Sequence, residues 1–175
     1  MKPLRLLLAD DHILVRAGLR ALLDGIEGIA VVAEADNGEQ AVALAVQHRP
    51  DIALLDITMP GMNGLRAAER ILREQPDTRV LILSMHAGDE YVTQALKLGV
   101  SGYLLKDAAT LELQAALEAV AGGATYLSPR ITGQLLQSKG LRPPDAPAQH
   151  ALTPRQSEVL TRLALGRSTK EIAFE

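Results

Sequence analysis

Short apolar runs recur along the first 125 residues, and each is followed by a segment with helical spacing of its apolar positions. Leu4–Ala9 is broken only by Arg5, as expected for a strand buried on both faces of a parallel sheet. Ile13 to Leu23 repeats apolar residues at helical spacing until Gly25 stops it. Ile29–Ala35 reads as a second strand, and Asn37 caps a helix through Ala41, Leu44 and Ala45 that Pro50 ends. The pattern recurs with strands at Ile52–Leu55, Arg79–Leu83 and Gly102–Leu105. Helices follow at Leu65–Leu72, at Tyr91–Leu98 before Gly99, and at Leu111–Val120 before Gly122 and Gly123. Five strands alternating with five helices predict an α/β fold: a five-stranded parallel sheet covered by helices on both faces, since right-handed crossovers place them there.

The pattern changes after Gly123. Ser128-Pro129 predicts the start of a short helix through Ile131, Leu135 and Leu136. Residues 139–150 contain Pro143, Pro144 and Pro147 and almost nothing apolar, which predicts an extended linker. From Leu152 the chain is patterned again. Thr153 is a good N-cap, Pro154 occupies the first helical position, and Gln156 completes a capping box. Val159, Leu160 and Leu163 form one apolar face, Gly166 ends it, and Ser168 with Glu171 opens a second helix. Two helices around a Gly-containing turn suggest a helix-turn-helix. The expected division is a first domain over residues 1–122, a linker with a short helix over 123–150, and the opening of an all-α domain over 151–175.

Composition narrows the function classes. The chain has 175 residues, enough for one domain and part of another, and is 47% hydrophobic with three Tyr and one Phe, so its core is aliphatic. It has no cysteine, which excludes disulfides and thiol chemistry. Leu4–Ala9 is too short for a signal peptide, and no apolar stretch nears the ~20 residues that span a bilayer. The expectation is a soluble, cytoplasmic protein with no membrane partner. Residues 1–125 carry 11 basic and 17 acidic side chains, whereas residues 126–175 carry 7 and 4. Ordinary solvated surface charge accounts for that asymmetry.

The chemistry gathers at the strand ends. In a parallel sheet, ligands bind at the carboxyl edge. Asp10 and Asp11 close the first apolar run, Asp56 the third, Ser84 the fourth and Lys106 the fifth. Two carboxylates ~4 Å apart repel by roughly 4 kcal/mol at an effective dielectric of 20, so three need a cation. Mg²⁺ takes oxygen ligands and is usually held by one or two carboxylates plus a phosphate. A carboxylate beside it can attack phosphorus, Lys106 can neutralise phosphoryl oxygens, and Ser84 can donate a hydrogen bond to one. Singly, each residue has an ordinary role: a helix-capping Asp, a turn Ser, a solvated Lys. Their shared edge makes them a site. His12, His48 and His150 read as surface residues, and His86, close behind the fourth strand, is expected to line the pocket.

These residues sit in recognisable motifs. Asp10-Asp11, D-I-T-M-P-G-M-N-G from Asp56 to Gly64, L-S-M-H at 83–86 and G-Y-L-L-K-D at 102–107 resemble the receiver domain of a bacterial response regulator over about the first 120 residues. L-T-P-R-Q-S-E-V-L at 152–160 and G-R-S-T-K-E-I-A at 166–173 resemble the opening of a LuxR-type helix-turn-helix, and Lys106-Asp107 resembles the NarL/FixJ subfamily. The resemblance implies a flavodoxin-like receiver with Asp56 as phosphoacceptor and Mg²⁺ as cofactor, bound by Asp10, Asp11, Asp56 and the Thr58 backbone carbonyl. It implies Ser84 and Tyr103 as the switch pair, with Tyr103 turning inward as Ser84 moves, and Lys106 as the phosphate-contacting lysine. Many receivers carry proline, often cis, after that lysine; Asp107 stands here, which leaves the isomer open. Met85 is bulkier than the small residue common at its position and, with His86, is expected to tune access to the phosphoryl group.

The expected partners are a sensor histidine kinase, a second copy on phosphorylation and, for the intact protein, DNA. The recognition helix is absent from the chain, so the chain itself is not expected to bind DNA. A stand-alone receiver acting through protein contacts is one rival. A Mg²⁺-dependent aspartyl-phosphate phosphatase of the haloacid dehalogenase type is another, disfavoured because Thr58 stands where its acid/base Asp belongs. A flavodoxin-type electron carrier lacks aromatics to stack on a flavin, and Asp10-Asp11 replaces the glycine motif of a dinucleotide-binding domain.

Overall fold

The computed structural model describes residues 2–138. Strands β1 (Leu4–Ala9), β2 (Ile29–Ala35), β3 (Ile52–Asp56), β4 (Arg79–Ser84), β5 (Gly102–Leu105) and β6 (Tyr126–Leu127) form one sheet in the order β2-β1-β3-β4-β5-β6. Every pairing is parallel. The helices are α1 (Ile13–Asp24), α2 (Gly38–His48), α3 (Gly64–Glu74), α4 (Asp89–Leu98), α5 (Ala109–Ala121) and α6 (Pro129–Ser138).

Strand alternation sorts the core into two layers. Leu7, Ala9, Ala53, Leu55, Val80, Ile82, Tyr103 and Leu105 pack with residues of α2, α3, α4 and α6. Leu6, Leu8, Ile52, Leu54, Leu81, Leu83 and Leu104 pack with α1 and α5. Both faces of the central strands are therefore covered, which is why their sequences read as near-continuous apolar runs. Order reverses at β1, which lies between β2 and β3, so the crevice for a ligand opens at the carboxyl ends of β1 and β3.

Local signals fix several boundaries. The Asn37 side chain accepts from Gln40 N–H, and that of Asn63 from Arg66 N–H, each at 2.9 Å, so both cap the following helix. The sheet departs from the five-stranded expectation. Tyr126–Leu127 adds a sixth strand, pairing with Gly102 and Tyr103. Two residues carry no readable alternation, and behind Gly122-Gly123 they look like loop. Helix α6 forms behind Ser128-Pro129, and its Ile131 and Leu135 join the core layer that holds Val92, Ala95 and Leu96 of α4. The peptide after Lys106 is trans, because no cis bond occurs among the described residues. It leads into a single 3-10 turn, Lys106–Ala108. The rest of the expected linker and the expected helix-turn-helix opening fall outside the described residues.

Candidate functional site

Three strand ends converge on one ammonium group. Lys106 Nζ lies 2.6 Å from Asp10 Oδ2 and 2.8 Å from Asp56 Oδ2. Asp10 is fully buried, Asp56 is 2% exposed, and the Lys106 side chain is 9% exposed. Long apolar strands carry these groups out of water, and the ion pairs offset part of the desolvation. Burial raises the Asp56 pKa above the ordinary carboxylate value, and Lys106 opposes that without cancelling it. Burial would lower the Lys106 pKa, but the bonds to Asp10 and Asp56 raise it above the ordinary lysine value. One cation shared by two carboxylates leaves the pocket short of positive charge.

The remaining oxygens are held by backbone. Asp10 Oδ1 accepts from His12 N–H at 2.8 Å, and Asp56 Oδ1 from Thr58 N–H at 3.3 Å. Asp11 is partly exposed, with Oδ1 2.8 Å from His12 Nδ1. One ligand atom from each of Asp10, Asp11, His12 and Asp56 can be chosen so that all lie within 4.8 Å of one another. An oxygen-rich set of this size fits a hard divalent cation such as Mg²⁺.

The loops around the pocket are tightly fixed. A Cβ on Gly64 would lie 1.9 Å from the Asp56 carbonyl oxygen, so only glycine fits where α3 starts against the Asp56 backbone. Glu39 Oε2 accepts from Met62 N–H at 3.2 Å and ties the loop after β3 to α2. Arg16 donates to the Asp10 carbonyl and approaches Glu34 at 3.6 Å, bracing the acidic turn from α1.

On the other side, buried Ser84 accepts from His86 N–H at 2.9 Å, and Tyr103 donates to the His86 carbonyl at 2.7 Å. Tyr103 is fully buried in this structure. Burial raises its phenol pKa, and the neighbouring Ser84 hydroxyl acts in the opposite direction. The His86 ring stacks on Tyr91 at 4.9 Å and comes within 3.5 Å of Thr58 Oγ1. Met85 is 69% exposed beside Ser84.

All the sequence-selected residues thus lie at or next to the carboxyl edge; Asp10, Asp56 and Lys106 are in direct contact, while Met85 stands outward. Sequence reasoning passed over Arg16 and Glu39, and it read His12 as a surface residue; the His12 side chain is 62% exposed, yet its ring nitrogen reaches Asp11. Arg16 and Glu39 act through backbone atoms across loops, which no sequence spacing signals.

Comparison with known proteins agrees with this geometry. Residues 6–118 match the family model described as the response regulator receiver domain. The chain is similar to the transcriptional regulatory protein MctR of Rhizobium johnstonii, 38% identical over 97% of this chain and 77% of the relative. It is also similar to the nitrate/nitrite response regulator protein NarL of Escherichia coli, 39% identical over 98% of this chain and 80% of the relative. Among solved structures, a LuxR-family two-component response regulator from Aurantimonas superposes with a TM-score of 0.76 at 36% identity, covering 79% of this chain and 99% of that one.

Proposed function

The chain belongs to the response regulator receiver family, within its NarL/FixJ, LuxR-type group, and on that premise we propose that Asp56 is the phosphoacceptor of a switch that governs a DNA-binding output. Membership implies a histidine kinase as phosphoryl donor, and a self-modifying switch rather than a turnover enzyme. The observation that carries the assignment is Lys106 Nζ at 2.8 Å from Asp56 Oδ2, at the bottom of an acidic cluster.

Phosphoryl transfer depends on alignment and charge neutralisation more than on acid–base catalysis. An Asp56 carboxylate oxygen attacks phosphorus, the N–P bond of the donor histidine breaks, and its electron pair returns to the imidazole. Asp10, Asp11, Asp56 and the Thr58 backbone carbonyl would hold Mg²⁺, which when bound supplies positive charge to the phosphoryl oxygens. Lys106 gives up its pairing with Asp56 Oδ2 and contacts a phosphoryl oxygen. Ser84 donates a hydrogen bond from its hydroxyl to another phosphoryl oxygen.

The new group adds about −1.5 to −2 charges to a pocket already acidic. Tyr103 and Ser84 both grip His86, so a shift of Ser84 loosens the β4–α4 loop while Tyr103 keeps its end. That changes the face made by α4, β5 and α5. Couplings of this type are about 1–3 kcal/mol, within reach of one or two hydrogen bonds. Met85, next to Ser84 and 69% exposed, is the bulky side chain available to tune access to the phosphoryl group. The helix-turn-helix motif after Leu152 supports a transcriptional output, and a second copy is the expected partner of the phosphorylated state.

The test is phosphorylation by acetyl phosphate with Mg²⁺, read by intact mass. One added phosphoryl group, absent in Asp56→Asn, supports the reading; no addition from acetyl phosphate or any kinase contradicts it.

A further inference from the structure

The turn that carries Lys106 is held from outside the segment that matches the family model. Leu105, directly before the lysine, donates its N–H to Ser128 Oγ at 3.0 Å. Ser128 is fully buried and donates in turn to Glu112 Oε2 at 2.6 Å, and the Tyr126 hydroxyl donates to the same oxygen at 3.0 Å. Ser128 N–H also donates to the Tyr103 carbonyl at 3.0 Å. On the other side of the lysine, Asp107 pairs with Arg130 at 3.2 Å, an exposed contact that adds little by itself.

The use of the Ser128 hydroxyl is unusual for its position. Ser128 stands just before α6, where a serine ordinarily accepts from a first-turn N–H. Its carbonyl does accept from Ile131 and Thr132. Its hydroxyl is committed instead to the Leu105 backbone and to Glu112. A carboxylate fixed by two hydroxyl donors holds that oxygen rigidly, since hydrogen bonds to an ionised group are short and strong. Burial and Glu112 together raise the Tyr126 phenol well above its ordinary pKa, so it stays a donor to Glu112.

We propose that Ser128, oriented by Glu112, is a positioning residue for Lys106, which makes β6 and the start of α6 part of the phosphoacceptor machinery. With no proline after Lys106 to stiffen the turn, the Ser128 hydroxyl fixes the end of β5 and so the reach of the ammonium toward Asp56. The same bond links the pocket to α6, which leads toward the output segment. This rests on the phosphoacceptor reading above.

The experiment uses the full chain and trifluoroberyllate as a phosphoryl mimic, titrated at saturating Mg²⁺, with the affinity for Mg²⁺ alone measured separately. Mg²⁺ alone reports the carboxylates; the mimic also reports Lys106. Ser128→Ala is expected to weaken the mimic about tenfold and to leave the Mg²⁺ affinity unchanged, while Ser128→Thr restores wild-type binding. Glu112→Gln, which keeps the side-chain shape, is expected to give a smaller loss in the same direction and decides the matter if Ser128→Ala fails to fold. Unchanged mimic binding in a folded variant would overturn the proposal. So would equal losses of mimic and Mg²⁺ affinity, or a threonine no better than alanine. A wild-type chain that binds no mimic would instead sink the phosphoacceptor reading beneath it.

Discussion

Lys106 reaches across from the end of β5 to Asp56 at the end of β3, and its ammonium lies between the carboxylates of Asp56 and Asp10 at 2.8 and 2.6 Å. Strand β4 separates the two strands in the sheet. The contact therefore spans the strand that carries Ser84, and any group bonded to Asp56 meets all three strand ends.

Removing the Lys106 ammonium leaves two buried carboxylates facing each other. Loss of one partner of a buried pair typically costs about 3–5 kcal/mol. Lys106→Met is expected to destabilise the metal-free chain by that order at neutral pH, and by less with Mg²⁺ present. Urea unfolding with and without the ion checks this; equal losses in both conditions would contradict it.

Magnesium is expected to stabilise the folded chain by about 2.7 kcal/mol at one hundred times its dissociation constant. Asp11→Asn is expected to abolish most of that gain while barely changing metal-free stability, because Asp11 is only partly buried and its ion pair among the described residues is with exposed His12. Thermal melts over a magnesium series provide the measurement.

Gly64→Ala places a methyl group against the Asp56 carbonyl oxygen, where an added Cβ would lie at 1.9 Å. Overpacking of this kind costs about 1–3 kcal/mol, and here the strain falls on the phosphoacceptor's own backbone. Lower stability with slower phosphorylation by acetyl phosphate is expected; a stable variant with wild-type kinetics would contradict the packing account.

Alkaline stability has a defined sign. Burial and Glu112 raise the Tyr126 pKa above that of the unfolded chain. The stabilisation is complete below the unfolded phenol pKa of about 10 and is lost as pH rises from there toward the folded value. Wild type should thus lose stability more steeply above this point than Tyr126→Phe. Parallel unfolding curves for the two in alkali would contradict this.

The alternation of apolar runs and helical segments was enough to place the first five strands, because the central strands, buried on both faces, need near-continuous apolar runs and edge strand β2 keeps enough Ile, Val and Ala to read the same way. The pocket was legible for the same reason: Asp10, Asp56 and Lys106 interrupt those runs at their ends, and parallel pairing brings such ends together. What escaped was set by tertiary contact. Tyr126–Leu127 becomes a strand only because β5 offers it an open edge. The full burial of Tyr103 is likewise tertiary, since α4 and α6 pack over its face of the sheet. Ser128 read as a helix start, and only the fold turns its hydroxyl toward Glu112.

The central claim concerns one covalent bond, between an oxygen of Asp56 and phosphorus. Borohydride reduces an acyl phosphate to an alcohol, so trapping the phosphorylated chain and mapping its peptides locates that bond directly. The account predicts homoserine at position 56 and nowhere else, formed only when Mg²⁺ and a phosphoryl donor are both present. Homoserine at Asp10 or Asp11, or a phosphoryl group that resists reduction, would contradict it.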